Sequence, residues 1–207
     1  FMQLSSVKNQ LSVNIMGNPL IYIINLNKMI LLISLHIISQ NIMDLYTFTS
    51  DSPQNEWSIV DDRVMGGTSQ GKFEITPEGR GRFFGYVTTE NNGGFSSVRH
   101  RNTYNIESES HDMFQIRLKG DGKDYQFRVK TSIYEYHSYV HEFSTNGEWQ
   151  TVNVPFSAFY PSFRGRKLNI AGYEGQNIEE ITFLIANKKK ENFELLIDKI
   201  SVLKAEQ

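Results

Sequence analysis

Residues 113–130 read MFQIRLKGDGKDYQFRVK and decide the fold class of the chain. Apolar residues occupy every second position from Phe114 to Leu118, and again from Tyr125 to Val129. Successive side chains of a β-strand point to opposite faces, so each half predicts a strand with one buried and one solvent-facing side. The turn-forming GDGKD between them has the length of a hairpin loop, which predicts that the two strands pair antiparallel.

Similar stretches recur through the rest of the chain, separated by turn signals rich in Gly, Pro, Asn and Ser. They read KFEIT, GRFFGYVTT, FSSVRHR, SYVHEFS, WQTVNVP, EITFLIAN and NFELLIDKISVL. Many short strands at regular spacing are typical of a sandwich or barrel rather than of a parallel sheet. A short helical turn is expected near PFSAFYPSF. The sequence therefore predicts an all-β, antiparallel domain.

The last of these stretches changes its phase. Phe193, Leu195 and Ile197 share one parity, whereas Ile200 and Val202 share the other. A one-residue slip turns every following side chain to the opposite face, so a β-bulge near Asp198 is predicted. The carboxylate of Asp198 then either accepts backbone N–H bonds at the bulge or serves as a ligand for a structural calcium ion.

Composition excludes several classes of function. The chain has 207 residues, a formal net charge of -2 and no cysteine. The absence of cysteine excludes disulfides, thiolate catalysis and Cys-type zinc sites. No concentrated basic face is indicated, so nucleic acid is not an expected partner. The chain contains neither a nucleophile elbow nor a phosphate-binding loop, and we expect a protein that is not an enzyme and needs no cofactor.

The first part of the chain has a different composition from the rest. Residues 1–42 are rich in Ile, Asn, Leu and Ser and carry only two charges. From Met29 they resemble a secretory signal with a short apolar centre, which predicts export. Initiation at Met43 is the alternative, and it predicts a cytoplasmic or membrane-peripheral protein. In both cases we expect the folded β-sandwich domain to span residues 43–207.

Two segments place polar residues directly before a glycine pair. Residues 61–71 read DDRVMGGTSQG, and residues 90–99 read ENNGGFSSVR. Glycine tolerates positive φ and allows another segment of backbone to approach closely, so each pair predicts a tight corner.

The simplest expectation is that the two glycine motifs pack on each other as one polar cluster. Arg63 or Arg99 would then pair with Asp61, Asp62 or Glu90, and carboxylates would satisfy exposed backbone donors. A purely structural role and a binding role both remain open for this cluster.

The order of motifs along the chain resembles a known family. The two glycine motifs are followed by GDGKDYQF, EWQTVNVPFSAF, FRGR and FELLIDKI, and together they resemble the complex I intermediate-associated protein family, the thirty-kilodalton class. The resemblance spans about residues 44–203. It implies a galactose-binding-domain-like jelly-roll β-sandwich and a non-enzymatic, chaperone-like role. Eukaryotic members act as assembly factors for the membrane arm of respiratory complex I.

This resemblance implies a protein client as partner, with respiratory-complex subunits as candidates, and peripheral association with a membrane. Methionine adapts to varied partners, and aromatic and arginine side chains are enriched in interface cores. The candidate binding surface comprises Asp61, Asp62, Arg63, Met65, Gly66, Gly67, Ser69, Glu90, Asn91, Asn92, Gly93, Gly94, Phe95 and Arg99.

A carbohydrate-binding module of the galactose-binding-like type, with or without stabilisation by calcium, is the alternative function. Residues 133–143 read IYEYHSYVHEF, and Tyr134, Tyr136 and Tyr139 would stack on sugar rings. The two histidines of this segment are four residues apart, which is about 13 Å along a strand. A metal shared by both is therefore not expected.

Overall fold

The computed structural model describes residues 23–29 and 42–205 of the chain. Residues 23–29 form a short helix, and residues 42–205 form two antiparallel sheets in a jelly-roll β-sandwich, which confirms the predicted fold class. Apart from Met29 itself, the predicted signal segment lies outside the described residues. No helix within these two ranges is long and apolar enough to cross a membrane.

Thirteen strands make up the sandwich, and four short 3-10 helices connect some of them. The strands are β1 (Ile42–Thr47), β2 (Trp57–Asp61), β3 (Gln70–Ile75), β4 (Gly81–Val87), β5 (Ser96–Tyr104), β6 (Met113–Gly120), β7 (Asp124–Lys130), β8 (Ser138–Ser144), β9 (Trp149–Pro155), β10 (Tyr160–Phe163), β11 (Arg166–Lys167), β12 (Ile178–Ile185) and β13 (Glu191–Leu203). The 3-10 helices span Gln54–Glu56, Asp62–Met65, Glu90–Asn92 and Phe156–Ala158. The last of these is the helical turn that the sequence predicts.

The first sheet contains six strands in the order β3-β4-β13-β6-β9, with β1 also paired to β13. The second contains seven strands in the order β11-β10-β8-β7-β12-β5-β2. β13 is long enough for β4 to pair with its first half and β1 with its second half. Both glycine motifs lie next to the second sheet, one after β2 and the other before β5.

The prediction that residues 113–130 form a paired hairpin is wrong. β6 pairs with β13 and β9, whereas β7 pairs with β12 and β8 in the other sheet. The GDGKD turn therefore carries the chain across the core, where the rings of Phe114 and Phe127 meet with centroids 5.2 Å apart. Asp121 supports the crossing by accepting a hydrogen bond of 2.8 Å from the Tyr125 hydroxyl. The alternation of apolar and polar residues shows which face of each strand is buried. A hairpin within one sheet and a crossing between the two sheets bury the same side chains, so the alternation does not distinguish them.

The predicted bulge in β13 is confirmed, because the register with β6 shifts between Ile197 and Lys199. The carboxylate of Asp198 pairs with the guanidinium of Arg80 at 2.9 Å, so the prediction that it accepts backbone N–H bonds is wrong. The guanidinium of Arg80 thus pairs with the carboxylate that was the candidate calcium ligand. Within residues 23–29 and 42–205, no group of three or more His, Asp or Glu is placed to hold a metal ion.

The core lies between the two sheets and contains many aromatic rings packed among aliphatic side chains. Phe114 is fully buried, and its ring centroid lies 5.0 Å from that of Phe156 and 5.3 Å from that of Phe159. Full burial of such a side chain contributes about 2 kcal/mol. The alternate residues of each strand face outward, and the outward face of the seven-stranded sheet carries the site described next.

Candidate functional site

A fully buried carboxylate makes hydrogen bonds with both glycine motifs. Asp62 is fully buried, and its side chain accepts hydrogen bonds from the backbone N–H and the hydroxyl of Ser69, at 3.0 and 2.5 Å. It also accepts the backbone N–H groups of Gly94 at 2.7 Å and Phe95 at 3.3 Å, from the second motif. The two motifs therefore pack on each other, as predicted.

The two glycines of each pair have different structural roles, and the roles are the same in both motifs. A Cβ on Gly67 would lie 2.3 Å from Cγ of Asp62, and a Cβ on Gly93 would lie 2.4 Å from its Oδ2. Gly66 and Gly94 have open space around them but adopt φ of +91° and +134°, which other residues rarely adopt. One glycine of each pair therefore leaves room for the carboxylate, and the other turns the chain.

The neighbouring Asp61 has a similar bracing role. Its carboxylate accepts the backbone N–H of Gly71 at 3.1 Å and the hydroxyl of Ser96 at 2.7 Å, so it ties β3 to β5. A Cβ on Gly71 would lie 2.1 Å from the Ser96 hydroxyl oxygen. Both aspartates of the first motif are thus occupied inside the protein.

The predicted ion pairs between arginines and this cluster are wrong. Arg63 is exposed, and Arg99 lies 3.9 Å from Glu180 on β12 instead. Glu90 pairs with Lys190 at 2.5 Å, and the lysine comes from the KKK turn before β13. Backbone N–H groups and hydroxyl groups already bind the carboxylates of the first motif. An arginine side chain is therefore not needed to neutralise them.

Two opposed effects act on the pKa of Asp62. Burial alone would raise it, but hydrogen bonds from Ser69, Gly94 and Phe95 to the charged form outweigh burial, and the pKa lies below its ordinary value. The carboxylate is therefore ionised at neutral pH and stabilises the fold in that form.

We expect this contribution to stability to be lost in acid. The unfolded pKa of an aspartate is about 3.9 and the folded pKa is lower, so the stabilisation is present above about pH 4 and disappears as the pH falls through the folded pKa. The difference in unfolding free energy between the wild type and Asp62→Asn, measured by urea unfolding, should be constant near neutrality and shrink below about pH 4. A difference that stays constant into acid would contradict the assigned ionisation.

The second glycine motif forms one wall of a recess on the outer face of the seven-stranded sheet. The recess encloses about 440 Å³. Six residues of the predicted surface line it, namely Met65, Asn92, Gly93, Gly94, Phe95 and Arg99. The aspartates and Ser69 lie behind this wall and brace it. Whether the predicted surface binds a partner stays a prediction.

Sequence reasoning missed the other side of this recess. Its lining also includes Arg128 of β7, Leu184 of β12, and Arg164 and Lys188 from loops. Burial lowers the pKa of Arg128 to about 10. The alternation of β7 marks Arg128 as an outward-facing residue, but no local pattern shows that its face meets the glycine motifs.

A second cavity of about 180 Å³ adjoins the recess and is lined by Tyr136. Tyr134 is 89% exposed and Tyr136 62% exposed, so both can be reached by a ligand. Tyr139 is only 8% exposed, and its ring packs against Tyr173 with centroids 5.5 Å apart. The prediction that Tyr139 stacks on a sugar is wrong, because this residue has the inward parity of β8.

Solved structures of low sequence identity share this architecture. A family 11 carbohydrate-binding module from Clostridium thermocellum, in complex with a mixed-linked tetrasaccharide, superposes with a TM-score of 0.56 and 18% identity over 80% of this chain and 95% of the module. An agarase, AgWH50C, gives a TM-score of 0.55 and 12% identity over 81% of this chain and 25% of the enzyme. At these identities the likeness establishes the fold alone.

Sequence relatives point to one family. A mitochondrial complex I intermediate-associated protein 30 from Drosophila melanogaster is 24% identical over 167 residues, and an uncharacterised protein from Schizosaccharomyces pombe is 25% identical over 174. The matches cover 70% and 72% of this chain, and they span 56% of the Drosophila protein and 78% of the yeast protein. The profile of the family described as complex I intermediate-associated protein 30 matches residues 46–197. The chain therefore belongs to the complex I intermediate-associated protein 30 family.

Proposed function

We propose that this protein is a non-catalytic binding protein that holds subunits of respiratory complex I during their assembly. Membership of the family and the name of the Drosophila relative support this role. The proposed client-binding surface is the wall of the recess that the glycine motifs form, together with the exposed tip of the first motif.

One observation carries the proposal: the first motif presents apolar side chains to solvent on a braced loop. Val64 is 72% exposed and Met65 61% exposed. Both lie in the 3-10 helix that begins at the buried Asp62, so the loop is fixed by the hydrogen bonds around that carboxylate. A fixed apolar tip loses little conformational entropy when it binds, which favours a role in contact with a partner.

We expect the double substitution Val64→Ser and Met65→Ser to reduce capture of complex I subunits by roughly tenfold. Both side chains are exposed, so the free energy of unfolding should change by less than about 0.5 kcal/mol. The measurement is affinity capture from solubilised membranes of the organism that encodes the chain, with subunits identified by mass spectrometry. Tyr134→Ser with Tyr136→Ser is the matched control, because it removes two exposed apolar side chains elsewhere.

Equal recovery with both double variants would contradict the proposed surface. Failure of the wild type to capture any complex I subunit would contradict the proposed function itself.

Binding of carbohydrate is the second candidate function, and the exposed rings of Tyr134 and Tyr136, of which Tyr136 lines the smaller cavity, favour it. A glycan array with the same protein distinguishes the two. Saturable sugar binding that Tyr134→Ser with Tyr136→Ser removes would support the carbohydrate role and count against the protein client.

A further inference from the structure

The recess has two arginines in its floor that the strand register places in one row. Arg99 on β5 and Arg128 on β7 both lie opposite Thr182 on β12, one from each side. Neighbouring strands are about 4.8 Å apart, so the two Cα atoms are separated by roughly 10 Å on the same face. Side chains of this length can therefore hold one group between them, where the recess meets the smaller cavity that Thr182 and Glu180 line.

The charges of these arginines are only partly neutralised by the protein. Among the described residues, the hydrogen-bond partner of Arg128 is the neutral amide of Gln126, whose oxygen accepts from Nε at 2.9 Å. Glu180 lies 3.9 Å from Arg99 but is closer to Arg101, at 2.8 Å. The carboxylate of Glu142, opposite Gln126 on β8, also acts on Arg128 and raises its pKa against the effect of burial. This part of the face therefore carries the guanidinium groups of Arg99, Arg101 and Arg128 against the carboxylates of Glu180 and Glu142.

Burial makes this excess of positive charge costly. Arg99 and Arg128 are both half-buried, and burial lowers the pKa of each. Arg164 and Lys188 add further positive charge at the rim of the same recess. A bound anion would compensate the charge, because a cation withdrawn from water is stable only when it is paired.

The shape of the guanidinium groups and the lining of the recess limit the kind of anion that can bind. The guanidinium fork matches a carboxylate through two parallel hydrogen bonds. Beside the arginines the recess is apolar, with Met65, Phe95 and Leu184 in its lining. A carboxylate flanked by apolar groups fits this combination. The arginines lie in the floor of a recess, where the headgroups of a flat bilayer do not reach, so an acidic peptide segment is favoured over a membrane.

We propose that the recess binds an acidic side chain of an extended client segment, with Arg99 and Arg128 holding the carboxylate and Phe95 and Leu184 contacting its apolar neighbours. This proposal rests on the proposed function, since it names the chemistry of the client. The client need not be known for a test.

The test uses two equimolar peptide mixtures, acetyl-Xaa-Leu-Glu-Leu-Xaa-amide and its counterpart with Gln for Glu, in which Xaa stands for uncharged residues. Each mixture is titrated into the isotope-labelled protein. The Nε–Hε resonances of Arg99 and Arg128 should shift saturably with the Glu mixture, with an apparent Kd of about 1 mM. The Gln mixture should bind roughly tenfold more weakly. Arg128→Gln should weaken binding of the Glu mixture by a similar factor, and Arg128→Lys should restore only part of it, because lysine lacks the fork.

Arg117→Gln is the matched control, because Arg117 lies on β6 in the other sheet, over the ring of Trp149. It should leave binding of the Glu mixture unchanged. Comparing the two mixtures on the wild type needs no variant, so the test stands even where a substitution impairs folding.

Several results would overturn the proposal. The absence of shifts, or equal shifts with both mixtures, would exclude recognition of the carboxylate. Binding of inorganic phosphate without discrimination between the mixtures would indicate a site for small anions. Sedimentation with phosphatidylserine vesicles that depends on Arg128 would indicate a membrane surface. If Arg128→Gln still captures complex I subunits while the Glu mixture fails to bind the wild type, this inference fails and the proposed function stands.

Discussion

Replacing Asp62 by alanine should lower the free energy of unfolding by about 3 kcal/mol. The substitution leaves the N–H groups of Ser69, Gly94 and Phe95 without their acceptor at a position where the carboxylate is fully buried. It also removes one of the contacts between the two glycine motifs and leaves the hydrogen bond from Ser96 to Asp61 in place. Urea unfolding followed by the fluorescence of the buried Trp57 measures the change.

Two further substitutions make this prediction specific. Asp62→Asn keeps the shape of the side chain and one acceptor oxygen, so it should lose roughly half as much as alanine. Asp51→Ala removes an exposed aspartate of a turn and should change stability by less than about 0.5 kcal/mol. An effect of Asp62→Ala no larger than that of Asp51→Ala would show that the carboxylate does not join the two motifs.

The second large effect is expected at Gly93. Its φ of -69° suits any residue, so Gly93→Ala introduces no backbone strain. The added Cβ would lie 2.4 Å from Oδ2 of Asp62 and 3.0 Å from the carbonyl oxygen of Glu90, and neither group can move without breaking hydrogen bonds. Overpacking of this kind costs about 2 kcal/mol. Thermal or urea unfolding measures the loss.

Gly122→Ala is the matched control for Gly93→Ala. Gly122 has a φ of +81° with no heavy atom within 4 Å of an added Cβ, so its substitution introduces backbone strain without a clash. It should cost about 1 kcal/mol. Stability of Gly93→Ala equal to that of the wild type would mean that the second motif lies away from Asp62.

The strands could largely be predicted from the sequence, because alternation of apolar and polar residues is a local property. Their partners could not, and the crossing at residues 120–124 shows why. Phe114 and Phe127 are buried whether β6 and β7 pair with each other or face each other across the core. The strand β2 was missed because it has only five residues and ends at Asp61, beside carboxylates that are typical of a loop.

The candidate site could also be predicted only in part from the sequence. Glycine pairs beside polar residues correctly indicated two corners that pack together. The sequence could not show that Asp62 is the residue that joins them, because its donors are backbone N–H groups, which every residue except proline carries. Arg99 and Arg128 come together only through the register of β12 between them, and such non-local pairing leaves no trace in a short stretch of sequence.

The buried carboxylate of Asp62 contacts two motifs that are distant in the chain. A double-mutant cycle between Asp62→Ala and Gly93→Ala, measured by urea unfolding, tests this most directly. In the Asp62→Ala background the methyl group at position 93 enters the space that the carboxylate leaves, so the two substitutions should couple by about 2 kcal/mol, while Gly122→Ala shows no coupling with Asp62→Ala. Strict additivity of Asp62→Ala and Gly93→Ala would contradict the account.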